Sequence, residues 1–239
     1  TKYYAGHSDI IAGAVVVDDD DLYTSLKFHQ KILGAILSPF DSFLLTRGIK
    51  TLPVRMDRSQ ENTQKIVEYL EKHEAVKKVY YPGLKSNEGY ELQKKQATGS
   101  GACFSITLND NFDSVAFCNA LEIFDLAVSL GGVESLVCHP ASMTHESYSK
   151  ELQDEIGITD DLLRFAIGIE DVDDLIDDIA QAFEKARKLT DGKMDTRTVI
   201  KCLAEEICHV MLHSHSSKHN CEIFIRITAQ RGLFYNLRC

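Results

Sequence analysis

Three side chains in this sequence carry groups that suit catalysis or ligand binding: Lys2, Ser129 and Arg164. A lysine amine can attack a carbonyl carbon or move a proton if its surroundings hold it rigidly and keep it partly neutral. Arg164 interrupts a mostly apolar run, so its guanidinium needs an anionic partner or a route to water. Ser129 places a hydroxyl at the end of an apolar segment, just before a glycine-rich turn.

Each of the three side chains also has an ordinary structural explanation. Most lysines are solvated surface charges, and a serine at the end of a strand commonly caps the turn that follows. An arginine can lie on the solvent side of a half-buried strand. From pattern alone, the structural explanation is favoured for Lys2 and Ser129, and neither explanation is favoured for Arg164.

The elements that must position these side chains alternate between helix and strand, which indicates an α/β protein. Apolar residues at helical spacing predict a helix within residues 59–72, and Ser38–Asp41 predicts a turn or a helix start. Strands are predicted at residues 78–81, 102–108, 126–130 and 162–169.

The clearest predicted helix follows the last strand, with an apolar stripe from Val172 to Ala186. Acidic residues crowd its start and basic residues crowd its end, as the helix dipole favours. Asp171, Asp173 and Asp174 could be taken for a metal cluster, but a charged helix start is the simpler interpretation.

Composition excludes several classes of protein. The formal charge of −10 over 239 residues argues against a nucleic-acid partner, which needs clustered Lys and Arg. No apolar run reaches the roughly 18 residues of a membrane-spanning helix, and no secretory signal is visible. The seven cysteines are odd in number and irregularly spaced, which does not indicate a disulfide scaffold. We therefore expect a cytoplasmic protein that binds neither nucleic acid nor membrane.

Several motifs, in order and at similar spacing, resemble one enzyme family over about residues 1–190. The segment Thr1–Asp9 is similar to the Ser-x-Thr-Lys-Tyr and Gly-His motif of the cystathionine γ-synthase/methionine γ-lyase family, which uses pyridoxal 5'-phosphate (PLP). Several unrelated patterns in one order are far more specific than any single pattern. The other matching segments are Ser38–Ser42, Arg47–Leu52, Tyr80–Leu84, Ser129–Leu136, His139–His145 and Gly168–Asp171.

The resemblance implies roles for four residues. Lys2 would form the Schiff base with PLP, and the Thr1 hydroxyl would bind the cofactor phosphate. Arg164 would bind the α-carboxylate of the substrate, since its planar fork suits a carboxylate better than a lysine does. Ser129 would help to position the Lys2 amine and the substrate carboxylate. The motif residues Glu134, His139 and His145 are interpreted as structural, and no metal is implied.

Two positions depart from the family pattern. Val128 precedes Ser129 where cystathionine γ-synthases and γ-lyases usually have Glu, and the segment is more similar to methionine γ-lyases and some cystathionine β-lyases. Loss of that carboxylate would favour a less polar substrate tail. Ala166 replaces a common Ser two residues after Arg164, which alters the detail of the carboxylate pocket.

The resemblance also implies a domain organisation. Residues 1–53 would be the end of a large PLP-binding domain of the transferase type, and residues 54–190 an α+β carboxyl-terminal domain. The family assembles as homo-oligomers, dimers paired into tetramers, so an exposed interface surface is expected. The family's ring-stacking aromatic residue, the carboxylate that pairs with the pyridinium nitrogen and most phosphate contacts lie upstream of the lysine, outside this sequence.

Residues 191–239 differ from the rest of the chain. They hold four of the seven cysteines and four of the nine histidines. Their spacing matches no closed four-ligand zinc pattern, so we expect a poorly ordered tail unrelated to the family and not a metal site.

Three functions remain open. The leading one is a PLP-dependent carbon–sulfur lyase that acts on a small sulfur amino acid and releases a 2-oxo acid, ammonia and a thiol. The second is γ-replacement of the cystathionine γ-synthase type. The third, from a different class, is a non-catalytic fragment that keeps only the carboxyl-terminal domain as a folded unit or an interaction surface.

Overall fold

The computed structural model describes residues 1–188 and the backbone of two short strands, β6 (Ile223–Ile225) and β7 (Tyr235–Leu237). The chain divides into two units, residues 1–188 and residues 189–239. In the second unit β6 pairs with β7 in antiparallel orientation. The cysteines and histidines of the predicted tail lie outside the described residues.

Residues 1–188 contain helices and strands in alternation over most of their length. The helices are α1 (Asp20–Leu33), α2 (Pro39–Ile49), α3 (Leu52–Leu70), α4 (Tyr90–Gln96), α5 (Ser114–Ala120), α6 (Lys150–Glu155) and α7 (Val172–Ala186), with one turn of 3-10 helix at Pro140–Ser142. The strands are β1 (Val76–Tyr80), β2 (Cys103–Leu108), β3 (Asp125–Leu126), β4 (Leu136–Cys138) and β5 (Leu162–Ala166).

The five strands form one mixed sheet in the order β1-β2-β5-β4-β3. Neighbours are antiparallel except β3 and β4, which are parallel. Phe165 on the central strand is fully buried, and its ring stacks on Phe104 with centroids 5.0 Å apart. The rings of Phe117 and Phe124 meet it edge-on at 6.2 and 5.7 Å. This aromatic cluster joins the sheet to α5 and forms the centre of the core.

Helix α7 confirms the predicted apolar stripe, since Leu175, Ile179 and Phe183 are buried along it. Asp171 caps its first turn, so the acidic start serves the helix terminus. The stripe also contains the buried Asp178, whose carboxylate accepts hydrogen bonds from the backbone N–H groups of residues 122–124. That carboxylate fixes the turn between α5 and β3.

Helices α1 and α2 have regular ends and almost no core. Asp19 caps the start of α1, and Gly34 ends it in the left-handed conformation with φ of 69°. Ser38 accepts a hydrogen bond from the backbone of Asp41, which confirms the helix start predicted there. No residue of α1 is buried, and in α2 only Gly48 is.

Three predicted elements differ from the observed ones by three or more residues at one end. The helix predicted within residues 59–72 begins earlier, at Leu52. The apolar pattern did not indicate its first turns because the residues buried there are polar. The strand predicted at 126–130 keeps only Leu126 of its span, and the observed strand is Asp125–Leu126. The strand predicted at 162–169 ends at Ala166. Among the described residues, no helix has the length and apolar content to span a membrane.

Candidate active site

Ser129 joins the other two predicted side chains in one cluster. Its hydroxyl accepts a hydrogen bond from Lys2 Nζ at 3.2 Å, and its carbonyl oxygen accepts one from Arg164 Nη2 at 2.9 Å. Lys2 is 127 residues away in sequence and Arg164 is 35 residues away. The fold therefore brings the amine, the hydroxyl and the guanidinium together, as the sequence predicts.

Arg164 lies in the middle of β5, opposite Ser105 of β2 and Cys138 of β4. Strand alternation turns it away from its neighbours Leu163 and Phe165, which enter the core. The guanidinium is half-buried, and among the described residues no acceptor lies within hydrogen-bonding distance of Nε. A buried donor without a partner is unfavourable, so the Nε edge can accommodate an anionic ligand.

The backbone around Lys2 is held by a tight turn and by Gly131. The N–H of Gly6 donates to the carbonyl of Lys2 at 2.8 Å. Gly131 has φ of +79°, and a Cβ there would lie 2.8 Å from the backbone nitrogen of Tyr3. Only glycine allows this approach, which places the loop carrying Ser129 directly against the segment carrying Lys2.

The loop that follows Gly131 is fixed by Glu170. Its carboxylate accepts hydrogen bonds from the backbone N–H of Ser135 at 2.5 Å and from the Ser135 hydroxyl at 2.9 Å. The same hydroxyl accepts a hydrogen bond from the N–H of Gly168. These bonds join the chain after β5 to the chain before β4, and they help to keep Arg164 and Ser129 close together.

Tyr3 lies on the inner side of the Lys2 segment. Its hydroxyl is 3.3 Å from the thiol of Cys103 on β2. Burial and the adjacent thiol raise the pKa of Tyr3 above its ordinary value, so the phenol stays protonated. The contact fixes the Lys2 segment to the start of β2.

The Thr1 hydroxyl is engaged with Ala12 alone among the described residues. It accepts a hydrogen bond from the Ala12 N–H at 2.7 Å and donates to the Ala12 carbonyl at 2.9 Å. A bond from this hydroxyl to a phosphate would require its proton to leave the Ala12 carbonyl. A phosphate role for Thr1 therefore stays a prediction.

The motif residues interpreted as structural have local partners. His139 is buried, with Nδ1 2.7 Å from the Ser142 hydroxyl and Nε2 2.8 Å from the carbonyl of Asp160. His145 Nδ1 is 2.7 Å from the Thr144 hydroxyl. Both histidines therefore have hydrogen-bonding partners of their own.

The remaining positions singled out from the sequence are Glu134, Val128 and Ala166. Glu134 accepts a hydrogen bond from the Ser8 hydroxyl at 2.5 Å. Val128, which precedes Ser129 in the chain, is 52% exposed. Ala166 is buried at the end of β5 and opposite Cys103.

Arg55 was not predicted as part of the site, yet its Nη1 donates a hydrogen bond to the carbonyl of Tyr3 at 2.9 Å. The signal was available in the spacing of α3. Arg55, Ser59 and Asn62 continue the apolar stripe of Ile66 and Leu70 toward the start of the helix. Polar residues on a buried stripe indicate specific hydrogen bonds.

Comparison with known proteins gives one consistent family. The sequence profile of the Cys/Met metabolism PLP-dependent enzymes matches residues 1–184. The cystathionine beta-lyase of Lactococcus lactis subsp. cremoris is 50% identical over 185 residues, which are 77% of this chain and 49% of that enzyme. The cystathionine gamma-lyase of Bacillus subtilis is 47% identical over 184 residues, 77% of this chain and 48% of the enzyme.

The folds agree as well. The crystal structure of cystathionine gamma-lyase from Lactobacillus plantarum complexed with L-serine has a TM-score of 0.75 and 39% identity. The match covers 77% of this chain and 49% of that one. The chain spans about half the length of the curated relatives that it matches.

Proposed function

The chain belongs to the Cys/Met metabolism PLP-dependent enzyme family, and on that premise we propose that it serves a PLP-dependent carbon–sulfur lyase acting on a sulfur amino acid. The observation that carries the proposal is the position of Ser129, which is hydrogen-bonded to both Lys2 and Arg164. An amine beside a carboxylate-binding guanidinium suits an amino acid whose Cα lies between them.

The residues present fit the attachment end of PLP. Lys2 is exposed, so its amine is open to a bound aldehyde while Ser129 fixes its direction. Arg164 Nε has no acceptor among the described residues. Lys2 would therefore hold the cofactor, and Thr1 would contact its phosphate once its hydroxyl is released from Ala12.

When bound, PLP supplies an electron sink for the negative charge that forms on the substrate Cα. Arg164 binds the α-carboxylate with its Nε edge, which orients the Cα–H bond toward Lys2. The Lys2 amine takes the Cα proton, and Ser129 holds the amine between transfers. For γ-elimination the same amine moves a proton from Cβ, whereas for β-elimination the sulfur group leaves directly from Cβ.

Val128 supports an apolar substrate tail. It stands half-exposed next to Ser129, where it offers methyl groups and no charge to the part of the substrate beyond Cβ. A charged amino group at that distance would gain no counter-ion from this side chain. Methionine and cystathionine are the substrates to compare first.

We also propose the domain division given by the family resemblance, with residues 1–53 as the end of a large domain and residues 54–190 as the carboxyl-terminal α+β domain. Support comes from the uneven core, because the five strands of the mixed sheet lie within residues 76–166, whereas α1 buries no residue. The apolar side chains of α1 and α2 would be covered by the rest of the large domain and by neighbouring subunits of a dimer of dimers. Free thiols at the three described cysteines support a reducing, cytoplasmic setting.

The test joins this full chain behind the part of the Lactococcus enzyme that it does not match. We expect the fused enzyme to release a 2-oxo acid and a thiol from cystathionine or methionine in the presence of PLP. Lys2→Ala should lower kcat at least about 10³-fold, because it removes both cofactor attachment and proton transfer. Lys50→Ala is the matched control, since Lys50 is exposed at the end of α2.

The same assay separates the remaining alternatives. Formation of cystathionine from an activated homoserine and cysteine, without 2-oxo acid release, would favour γ-replacement. A fused enzyme that binds PLP through another lysine, or that works equally well with Lys2→Ala, would contradict the proposed role of the cluster and favour a non-catalytic fragment.

A further inference from the structure

Helix α3 has an unusual buried face, polar in its first half and apolar in its second. Arg55 is 6% exposed and Asn62, two turns later, is fully buried. Ser59 and Thr63 are buried between and beside them, before the stripe becomes apolar at Ile66. Burial of an arginine that has no carboxylate partner is unfavourable unless other acceptors form hydrogen bonds with its N–H groups.

The Arg55 guanidinium satisfies three donors with neutral acceptors. Nη1 donates to the Tyr3 carbonyl at 2.9 Å, Nη2 to the Gly48 carbonyl at 2.8 Å and Nε to the Thr51 hydroxyl at 3.1 Å. No carboxylate of residues 1–188 forms an ion pair with it. Gly48 and Thr51 belong to the junction of α2 and α3, so the cation fixes that junction and the Lys2 segment to each other.

The surrounding backbone is closed tightly on this guanidinium. Gly6 has φ of +73°, and a Cβ there would lie 2.0 Å from Arg55 Nη1. A Cβ on Gly48 would lie 2.2 Å from the carbonyl oxygen of Ala5. The turn from Lys2 to Gly6 therefore lies directly over the guanidinium, with no room for another side chain.

The same helix contacts the chain that carries Arg164. Asn62 Nδ2 donates to the carbonyl of Gly168 at 3.2 Å and to that of Glu170 at 2.9 Å. Glu170 in turn holds Ser135 in the loop after Ser129. One face of α3 thus contacts the Lys2 segment through Arg55 and the segment that follows β5 through Asn62.

We propose that Arg55 is a positioning residue that holds the Tyr3 carbonyl, and through it the Lys2 amine, at hydrogen-bonding distance from Ser129. The importance of that position for catalysis rests on the proposed function. The geometry itself does not, because it concerns contacts within this chain. Arg55 acts on the reaction only through the backbone next to Lys2.

The test measures amide hydrogen exchange in the full chain without cofactor. Arg55→Met should speed the exchange of the Gly6 N–H at least about 10-fold, because the turn loses its anchor. The amides of Phe104 and Phe165 in the sheet should stay protected as in the parent. Arg55→Lys keeps one donor group, so its Gly6 exchange rate should lie between those of the parent and Arg55→Met. If Arg55→Met does not fold, Arg55→Lys is compared with the parent instead.

Arg58→Met is the matched control. It removes a guanidinium one turn later on the same helix, which donates to the Glu170 carbonyl at 3.3 Å and does not contact the Lys2 segment. Gly6 should exchange at the parent rate in this variant. In the fused enzyme described above, Arg55→Met should lower kcat by about 10²-fold, as expected for a misplaced proton-transfer group, while Arg58→Met should not.

Two results would overturn the proposal. One is a Gly6 exchange rate in Arg55→Met equal to that in Arg58→Met. The other is faster exchange spread evenly over Gly6, Phe104 and Phe165, which indicates general destabilisation. If the fused enzyme without substitutions is inactive while Arg55→Met still speeds exchange at Gly6, the proposed function is contradicted. The positioning role of Arg55 is then still supported.

Discussion

Residues 55–188 and residues 10–54 are both rich in apolar side chains, yet the first region buries many of them and the second buries almost none. On the sheet side, Phe165 and Phe117 are fully buried among other rings. In the other region, large apolar side chains remain open to solvent on α1 and α2 and on the segments beside these helices. They are Ile11, Val15, Val16, Leu22, Tyr23, Leu26, Phe28, Ile32, Leu33, Ile36, Phe40, Phe43, Ile49 and Val54.

The difference shows that regular helix ends and an apolar composition do not by themselves create a core. α1 has a capping Asp19 and a C-terminal Gly34, so its local signals are complete. A helix that is apolar on several sides is normally buried, and residues 1–188 provide nothing that covers it. The Lys2 segment and Arg55 lie at the two ends of this uncovered region.

The largest expected effect tests the contrast with one substitution in each region. Phe165→Ala should lower the free energy of unfolding by about 3–5 kcal/mol, because it opens a cavity among three rings. Phe28→Ala should change it by less than about 0.5 kcal/mol, since Phe28 is 60% exposed. Urea unfolding of the full chain measures both values. A large loss for Phe28→Ala would contradict the account of α1 as uncovered.

A smaller effect concerns His73, which stacks on Phe183 of α7 with ring centroids 4.4 Å apart. Burial lowers the pKa of His73 below its ordinary value of 6.5, and this outweighs the opposing influence of Glu74 and Glu184. The unfolded chain therefore binds a proton first as the pH falls, so the stabilising contribution is complete above about pH 6.5 and is lost below it.

His73→Phe is the matched variant, because it keeps a ring against Phe183 and removes the titration. Urea unfolding at about pH 7.5 and pH 5 should show a smaller acid-induced loss of stability for the variant than for the parent. An equal loss in the two proteins would show that the histidine does not report on burial in the sheet region.

The sequence singled out three side chains that lie together in the structure, but not the residues that hold them there. Lys2, Ser129 and Arg164 were named from motif resemblance, and the fold brings them together. Arg55 was missed because an arginine within a helix ordinarily indicates a solvated face. Its role depends on Gly6 and Gly48, which approach it only once the chain is folded.

Helix α7 shows what periodicity can predict and where it fails. Its apolar stripe and charged ends gave its bounds, because both signals are local. The buried Asp178 on the same stripe was not predicted, since its three backbone partners lie in residues 122–124. The packing of the turn at Gly131 was not predicted for a similar reason, because this turn lies against the backbone of Tyr3, which is distant in sequence.

The central claim is that Lys2 is the lysine through which PLP attaches. The most direct measurement is borohydride reduction of the fused enzyme with PLP, followed by peptide mapping by mass spectrometry. We expect the added mass of the reduced cofactor on Lys2, and its loss from that peptide in Lys2→Ala without transfer to Lys50. Label distributed over exposed lysines, or undiminished labelling of Lys2→Ala, would contradict the claim.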